Sequence, residues 1–145
     1  MAYLWVHVRL GYVALYAGNF DEARDIFLET SQNFQKDKYT VGALFALEGM
    51  AALYSEAGNP RHAAQLIGWA DATREQISDP RPLLEQVDVD KTIAACLIKL
   101  GEVAFSDAYD DGTTMTLAEA VAFAKRESVS SSVSRPQRKS DGAKG

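Results

Sequence analysis

Two stretches of this chain share one pattern, which constrains the fold more than any other feature of the sequence. Segment 15–23 reads LYAGNFDEA and segment 53–63 reads LYSEAGNPRHA, so that Gly18 and Gly58 stand 40 residues apart. In both copies an apolar segment of helical length ends at Gly-Asn, and an amphipathic segment follows. The pattern predicts a helix-turn-helix unit written twice. Such units cannot bury their apolar faces alone, so they stack, and a stack presents a groove for a partner.

Length and charge limit the possibilities further. With 145 residues and 47% apolar content, the chain is large enough for one domain with a core. Residues 1–127 carry 11 Lys/Arg and 19 Asp/Glu, a net charge of −8, whereas residues 128–145 carry 4 and 1, a net charge of +3. Because nucleic-acid contacts need clustered cations, the acidic body argues against direct nucleic-acid binding.

The chain carries few signs of a membrane or secreted location. Cys96 is the single cysteine, which precludes an intramolecular disulfide and fits a reducing compartment. No signal peptide is apparent, and the longest nearly apolar stretch, 41–54, is shorter than the roughly 20 residues that a bilayer requires. We therefore expect a soluble cytoplasmic protein that does not contact membranes.

The periodicity of apolar residues predicts an all-α fold, because no segment alternates as a strand does. Helices are expected over about 3–17, 19–34, 39–57, 60–77, 81–100 and 117–126, with a short helix near 103–109. We expect one helical repeat domain over 1–127, with repeats over about 3–37 and 38–77 and a cap over 81–127. The tail 128–145 is rich in serine and basic residues and is predicted to be disordered.

Several helix ends carry recognisable capping residues. Asn19 with Glu22 and Thr116 with Glu119 each form a capping-box pattern, and Asn59 followed by Pro60 is the strongest helix start in the chain. Asp79 is expected to cap the fifth helix. The inward-facing residues of that helix are predicted to be Leu84, Val87, Ala94 and Ile98.

The first repeat resembles the tetratricopeptide repeat in Leu10-Gly11, Gly18, Ala23 and Phe27 at their particular separations. The second copy has Met50-Ala51, Tyr54, Gly58, Ala63, Ile67 and Ala70 at the corresponding places. The resemblance implies a right-handed solenoid of antiparallel helix hairpins, closed here by a C-terminal helical cap. Small residues let paired helices approach closely, and Phe27 is expected to fill the space between them.

The second half of the chain resembles a bacterial group. Segments 63–75, 99–105 and 115–124 are similar to the closing part of large multidomain regulators and predicted ATPases, including LuxR-type activators related to the maltose-system regulator. This resemblance implies an interaction or regulatory module. The chain has no Gly-x-x-x-x-Gly-Lys-Ser/Thr phosphate loop, so nucleotide hydrolysis is not implied.

No set of residues in the sequence has the spacing of a catalytic or metal site. His7 and His62 lie on different predicted helices without Cys or carboxylate neighbours at ligand spacing, and Cys96 is read as a small hydrophobe at a helix interface. The run from Asp107 to Gly112 suggests a calcium loop, but Tyr109 and Ala118 occupy positions that need oxygen ligands. We therefore expect no cofactor, no metal and no enzymatic activity.

The groove of the predicted stack is assigned by aligning the two repeats, and a protein or peptide is its expected partner. The partner-binding residues are predicted to be Trp5, Val8, Tyr12, Tyr16, Phe45, Glu48 and Ser55, with Leu15, Ala52 and Glu56 beside them. Aromatic side chains with a few carboxylates suit a peptide with an apolar, partly basic face. Glu48 lies in an otherwise apolar helix, so it must meet a donor or face the groove.

Three alternative interpretations stay open. The groove aromatics could simply pack against the neighbouring repeat. The chain could be a structural fragment that forms a homo-oligomer through its first helix, which would expose Leu4, Trp5, Val8 and Tyr12 at one end of the stack. An effector-sensing or enzymatic domain would instead need a pocket between repeats.

Overall fold

A computed structural model describes residues 2–126, with side chains from residue 4 onward. These residues form helices and no strand, so the chain is all-α over the described range. The predicted tail 128–145 lies outside that range. The helices are α1 (Ala2–Tyr16), α2 (Phe20–Lys36), α3 (Thr40–Glu56), α4 (Pro60–Ile77), α5 (Leu83–Leu100), α6 (Glu102–Thr113) and α7 (Leu117–Arg126).

The Gly-Asn pairs end α1 and α3 as the repeated pattern predicts. Gly18 and Gly58 have φ angles of 83° and 89°, a left-handed conformation that glycine adopts without strain. Asn59 then caps α4, since its side chain accepts a hydrogen bond from the His62 amide. The predicted capping box at Asn19 is not formed, since the Asn19 side chain makes no capping hydrogen bond.

The first four helices pack in sequence, and their contact is built around two phenylalanines of α2. A Cβ atom at Gly11 of α1 or at Gly49 of α3 would overlap the Phe27 ring, so the absence of side chains at both glycines lets this ring lie between the two helices. Phe34 lies against Gly42 in the same way. The predicted role of Phe27 as the filler between paired helices is therefore confirmed.

Helices α4 and α6 approach each other most closely. A Cβ atom at Gly68 would overlap the backbone carbonyl of Tyr109, and one at Gly112 would overlap the backbone carbonyl of Gln65. Backbone cannot yield as the end of a flexible side chain does. The two glycines therefore set the spacing of α4 and α6, and with it the position of the adjoining α5.

Replacing Gly68 with alanine should destabilise the fold by about 1–3 kcal/mol, because overpacking must push α6 away from α4. Urea unfolding followed by circular dichroism measures the change. Ser106→Ala, at an exposed position of α6, is the control and should change stability by less than about 0.5 kcal/mol. Equal stability of Gly68→Ala and the wild type would contradict the close approach.

Helix α5 differs from the prediction in its start and in its buried face. It begins at Leu83 after Pro82, and the Asp79 carboxylate lies 3.7 Å from Arg74 Nη1 and does not cap the helix. All four residues predicted to face inward are exposed, with 79% exposure at Leu84 and 85% at Ile98. Val89 and Cys96 are buried in their place. The prediction of the buried face of α5 was wrong because this helix carries apolar residues on two faces.

Helix α7 packs across α2, α3 and α4 and closes the outer side of the domain. Its start has the predicted capping box: the Thr116 hydroxyl accepts from the Glu119 amide at 3.1 Å, and the Glu119 carboxylate accepts from the Thr116 amide at 2.8 Å. The Tyr54 hydroxyl donates to the Ala124 carbonyl at 2.5 Å. None of the described helices is long and apolar enough to cross a membrane.

Candidate functional site: a groove lined by three helices

A cavity of about 620 Å³ lies between α1, α3 and α5. Helices α1 and α3 run side by side in the same direction, with Trp5 near Phe45 at one end, and α5 covers the second side. The lining residues are Trp5, Val8, Arg9, Tyr12, Leu15 and Tyr16 of α1, Phe45, Glu48, Ala52 and Glu56 of α3, and Glu85, Asp88, Val89, Lys91 and Thr92 of α5.

Six of the seven predicted groove residues line this cavity, and Ser55 does not. Ser55 is buried behind α5, where its hydroxyl lies 3.9 Å from Cys96 Sγ. The residues contributed by α5 were missed, because that helix was predicted to turn its other face inward. Arg9 was missed as well, although its place four positions after Trp5 and three before Tyr12 puts it on the same face of α1 and could have indicated it.

One end of the groove is aromatic. The Trp5 ring lies 5.1 Å from Phe45 and 5.6 Å from Phe34, measured between centroids, and both contacts are tilted or edge-on. Tyr12 meets the buried Phe27 edge-on at 5.1 Å. These rings therefore pack against the core on one side and line the cavity on the other. The alternative in which aromatics pack the neighbouring repeat holds for part of Trp5, through Phe45, whereas Phe27 belongs to the same predicted repeat as Tyr12.

The predicted exposed end of the first helix is also corrected. Leu4 and Val8 are buried, and Trp5 and Tyr12 are half-buried, because α1 turns this face toward α2 and α3. The outward side of α1 carries other apolar residues, Val6, Leu10, Val13 and Tyr16.

Glu48 forms the floor of the groove, and two arginines bind its carboxylate. Arg74 Nε and Arg81 Nε donate to Oε2 at 2.9 and 2.8 Å, and Arg74 Nη2 donates to Oε1 at 3.2 Å. All three side chains are no more than 5% exposed. Glu48 therefore both lines the groove and accepts hydrogen bonds from donors, and its two carboxylate oxygens are bound by Arg74 and Arg81. It therefore acts as part of the scaffold of the groove.

The ionic cluster continues toward α6 through Asp71. Arg81 Nη2 donates to Asp71 Oδ1 at 2.8 Å, and the Tyr109 hydroxyl donates to Asp71 Oδ2 at 2.6 Å. Burial alone would lower the pKa of Arg81, but the charges and hydrogen bonds of Glu48 and Asp71 outweigh it and raise that pKa. The cluster thus ties the α4–α5 connection to α3, α4 and α6, and fixes where α5 begins.

The other end of the groove is acidic. Glu56, Glu85 and Asp88 surround Tyr12 and Tyr16, and the ion pairs among residues 2–126 do not include these three carboxylates. Burial first, and neighbouring carboxylates second, raise the pKa of both tyrosines above the ordinary value; Asp88 contributes at each. A tyrosinate is disfavoured here chiefly by burial, and the neighbouring carboxylates favour a bound cation.

The other candidate chemistry of the sequence has a structural explanation. The run from Asp107 to Gly112 lies within the continuous helix α6 and forms no calcium loop. The His62 ring stacks on Phe123 at 3.7 Å, and its Nε2 lies 2.7 Å from the Phe123 carbonyl oxygen. Cys96 is buried, as predicted for a small hydrophobe. Within residues 2–126, no group of three His, Cys, Asp or Glu side chains has the geometry to hold a metal ion.

Comparison with protein-family models, with curated proteins and with solved structures finds no match to this chain. The chemistry of the groove is therefore the basis on which a function can be argued.

Proposed function

We propose that this chain is a non-catalytic interaction module of the tetratricopeptide type, whose groove binds a protein segment with apolar side chains and at least one basic side chain. The acidic end of the groove carries the proposal, because Glu56, Glu85 and Asp88 lack cationic partners among the described residues while facing a cavity. A Lys or Arg there would gain charge-assisted hydrogen bonds. The aromatic end offers the anchor surface that peptide interfaces use.

The arrangement of the helices supports the repeat assignment within this proposal. Two Gly-Asn connections of the same conformation end α1 and α3, and Phe27 lies between small residues of both helices. The similarity of segments 63–75, 99–105 and 115–124 to bacterial regulators and predicted ATPases makes a regulatory role the favoured context. We also propose a cytoplasmic location, because a single cysteine fits a reducing compartment.

Synthetic peptides of alternating Leu/Lys and Leu/Glu blocks test the charge requirement by fluorescence titration. Trp5 reports on the groove, whereas Trp69 is buried away from it and should change little. We expect the Leu/Lys peptide to bind and the Leu/Glu peptide not to bind. Removing two groove charges with Glu85→Gln and Asp88→Asn should weaken binding by about tenfold at low salt, which corresponds to about 1.4 kcal/mol.

A matched variant controls for net charge. Asp107→Asn with Asp110→Asn removes two carboxylates from the exposed side of α6, so the overall charge changes equally while the groove is intact. Binding of the Leu/Lys peptide should stay at the wild-type level. If the two double variants bind equally, or if both peptides bind equally well, the groove is not a site for a basic segment.

A further inference from the structure

Among residues 2–126, two helix faces are apolar and not covered by any other described residue, one at each edge of the groove. On α1 the outward residues are Val6, Leu10 and Val13. The exposed fraction is 58% at Val6 and 64% at Val13. On α5 the outward residues are Leu84, Val87, Ala94 and Ile98. We call these the α1 stripe and the α5 stripe. Two contiguous apolar stripes on one small domain indicate surfaces that a partner covers.

The spacing of both stripes is that of helices that pack against other helices. Residues 84, 87, 91, 94 and 98 follow one another at intervals of three and four, with Lys91 in the middle, and residues 6, 10 and 13 follow at four and three. Such intervals align side chains along one seam of a helix. The two stripes can therefore pack along each other over about two turns, the length of the α1 stripe.

The charged residues on α1 and α5 determine which pairing of the two stripes is favourable. Helix α1 carries His7 and Arg9 and no acidic residue. The first half of α5 carries Glu85, Asp88 and Asp90 against the single Lys91. Pairing α1 with a second α1 would oppose the two Arg9 side chains. Pairing α5 with a second α5 would bring two acidic segments together in a parallel arrangement and would oppose the two Lys91 side chains, at the middle of the stripe, in an antiparallel one. Only α1 against α5 is complementary in charge.

The groove gives the same orientation independently. Arg9 and Asp88 both line the groove, so each lies on the groove side of its own stripe. Helices α1, α3 and α5 also run in one direction. Trp5 lies near Phe45, and further along both helices Gly11 and Gly49 meet the same Phe27 ring. Arg81, just before α5, contacts Glu48, and further along Cys96 lies near Ser55. If a second copy continues this row, its α1 lies parallel to α5, and its Arg9 comes to the edge where Asp88 lies.

We propose that this chain self-associates head to tail, with the α5 stripe of one copy packed on the α1 stripe of the next. Arg9 of one copy then pairs with Asp88 of the other, and the groove continues across the junction. A head-to-tail contact leaves one stripe free at each end, so it produces a ring or an open chain of copies. The proposal does not depend on peptide binding in the groove.

The expected affinity is modest. Stable interfaces bury roughly 1,600 Å² in total, and one pair of helices of this length covers less, so the contact belongs to the weak class below about 1,200 Å². We expect a dissociation constant in the micromolar range, with assembly that grows with concentration. Salt should weaken it, because the Arg9–Asp88 pair lies at the edge of the contact.

Two charged substitutions, each blocking one stripe, form the decisive experiment. Val13→Asp blocks the α1 stripe and Ile98→Asp blocks the α5 stripe; both positions are exposed, so the fold should be unaffected, as circular dichroism will show. In light scattering and sedimentation velocity, the wild type should form species larger than a dimer, and each variant alone should be monomeric. An equimolar mixture of the two variants should form a dimer and stop there, because each retains one intact, complementary stripe.

The alternatives give different results in the same experiment. If the first helix paired with its own counterpart, Ile98→Asp would still associate and the mixture would gain nothing, which would overturn the head-to-tail proposal. A wild type that remains monomeric up to about 1 mM would overturn it too. As a check on orientation, Arg9→Glu should weaken association about tenfold or more, and adding Asp88→Arg should restore it; failure of the restoration would contradict the proposed alignment.

Discussion

Replacing Glu48 with alanine should lower the free energy of unfolding by about 3–5 kcal/mol, because the change leaves two buried guanidinium groups without their shared carboxylate. Arg74 and Arg81 are held at 2.9 and 2.7 Å from Glu48 Oε2, and neither side chain is more than 5% exposed. Arg81 keeps Asp71 at 2.8 Å and Arg74 keeps Asp79 at 3.7 Å, but both of these carboxylates are partly exposed, so Glu48 is the buried partner of each arginine. Urea unfolding at neutral pH, followed by circular dichroism, measures the loss.

Two further variants separate the buried ion pairs from a general effect of removing a carboxylate. Glu56→Ala removes an exposed carboxylate from the last turn of the same helix and should change stability by less than about 0.5 kcal/mol. Replacing the three buried charges with Glu48→Leu, Arg74→Met and Arg81→Met should recover most of the loss, since Asp71, which then loses Arg81, is 32% exposed and keeps its hydrogen bond from Tyr109. A loss below about 1 kcal/mol for Glu48→Ala would mean that Asp71 and Asp79 are sufficient partners for the two arginines.

Phe27→Ala should destabilise the protein by a similar amount, about 3–5 kcal/mol, by opening a cavity where three helices meet. The Phe27 ring is fully buried, and Gly11 and Gly49 have no side chains with which to fill the space. The backbone of α1 and α3 would have to move inward to close the cavity. Thermal or urea unfolding gives the magnitude, and the Tyr12 side chain that meets the ring should become more mobile.

A conservative change at the same site serves as the comparison. Phe27→Leu retains much of the apolar volume and should cost distinctly less than Phe27→Ala. The partly buried Phe20, at the start of the same helix, provides a position outside the contact with Gly11 and Gly49, and Phe20→Ala should cost less as well. Similar losses at Phe20 and Phe27 would show that the glycine contacts add nothing specific.

The first four helices could be predicted from local signals. Gly18 and Gly58 end helices because their left-handed backbone angles suit glycine, and Pro60 suits the first turn of α4. The same was true of α7, whose capping box at Thr116 and Glu119 is local and intact. Where start and stop signals act within a few residues, sequence patterns place helices well.

The orientation of α5 could not be predicted in this way. Its apolar residues form two stripes, one through Val89 and Cys96 and one through Leu84 and Ile98, and periodicity alone does not choose between them. The choice follows from the Arg81 contacts with Glu48 and Asp71, which lie 33 and 10 residues away along the chain. No local pattern encodes these partners.

The part of the groove formed by α1 and α3 could be predicted, because it follows from the repeated sequence pattern. Aligning the two hairpins found the α1 and α3 residues around the cavity, because equivalent positions of stacked hairpins face the same side. Glu48 was identified as a residue that needs a donor, but the sequence could not reveal Arg74 and Arg81 as its partners. The acidic contribution of Glu85 and Asp88 depended on the rotation of α5 and was therefore missed.

The single cysteine is buried beneath α5, so its reactivity depends on the movement of that helix. Burial raises the pKa of the Cys96 thiol, so the reactive thiolate is scarce while the helix is seated against Ser55. A thiol reagent reaches the sulfur only when α5 lifts from α3. The rate of alkylation therefore measures how often α5, one wall of the groove, moves away from α3 in the wild-type protein, without an introduced label.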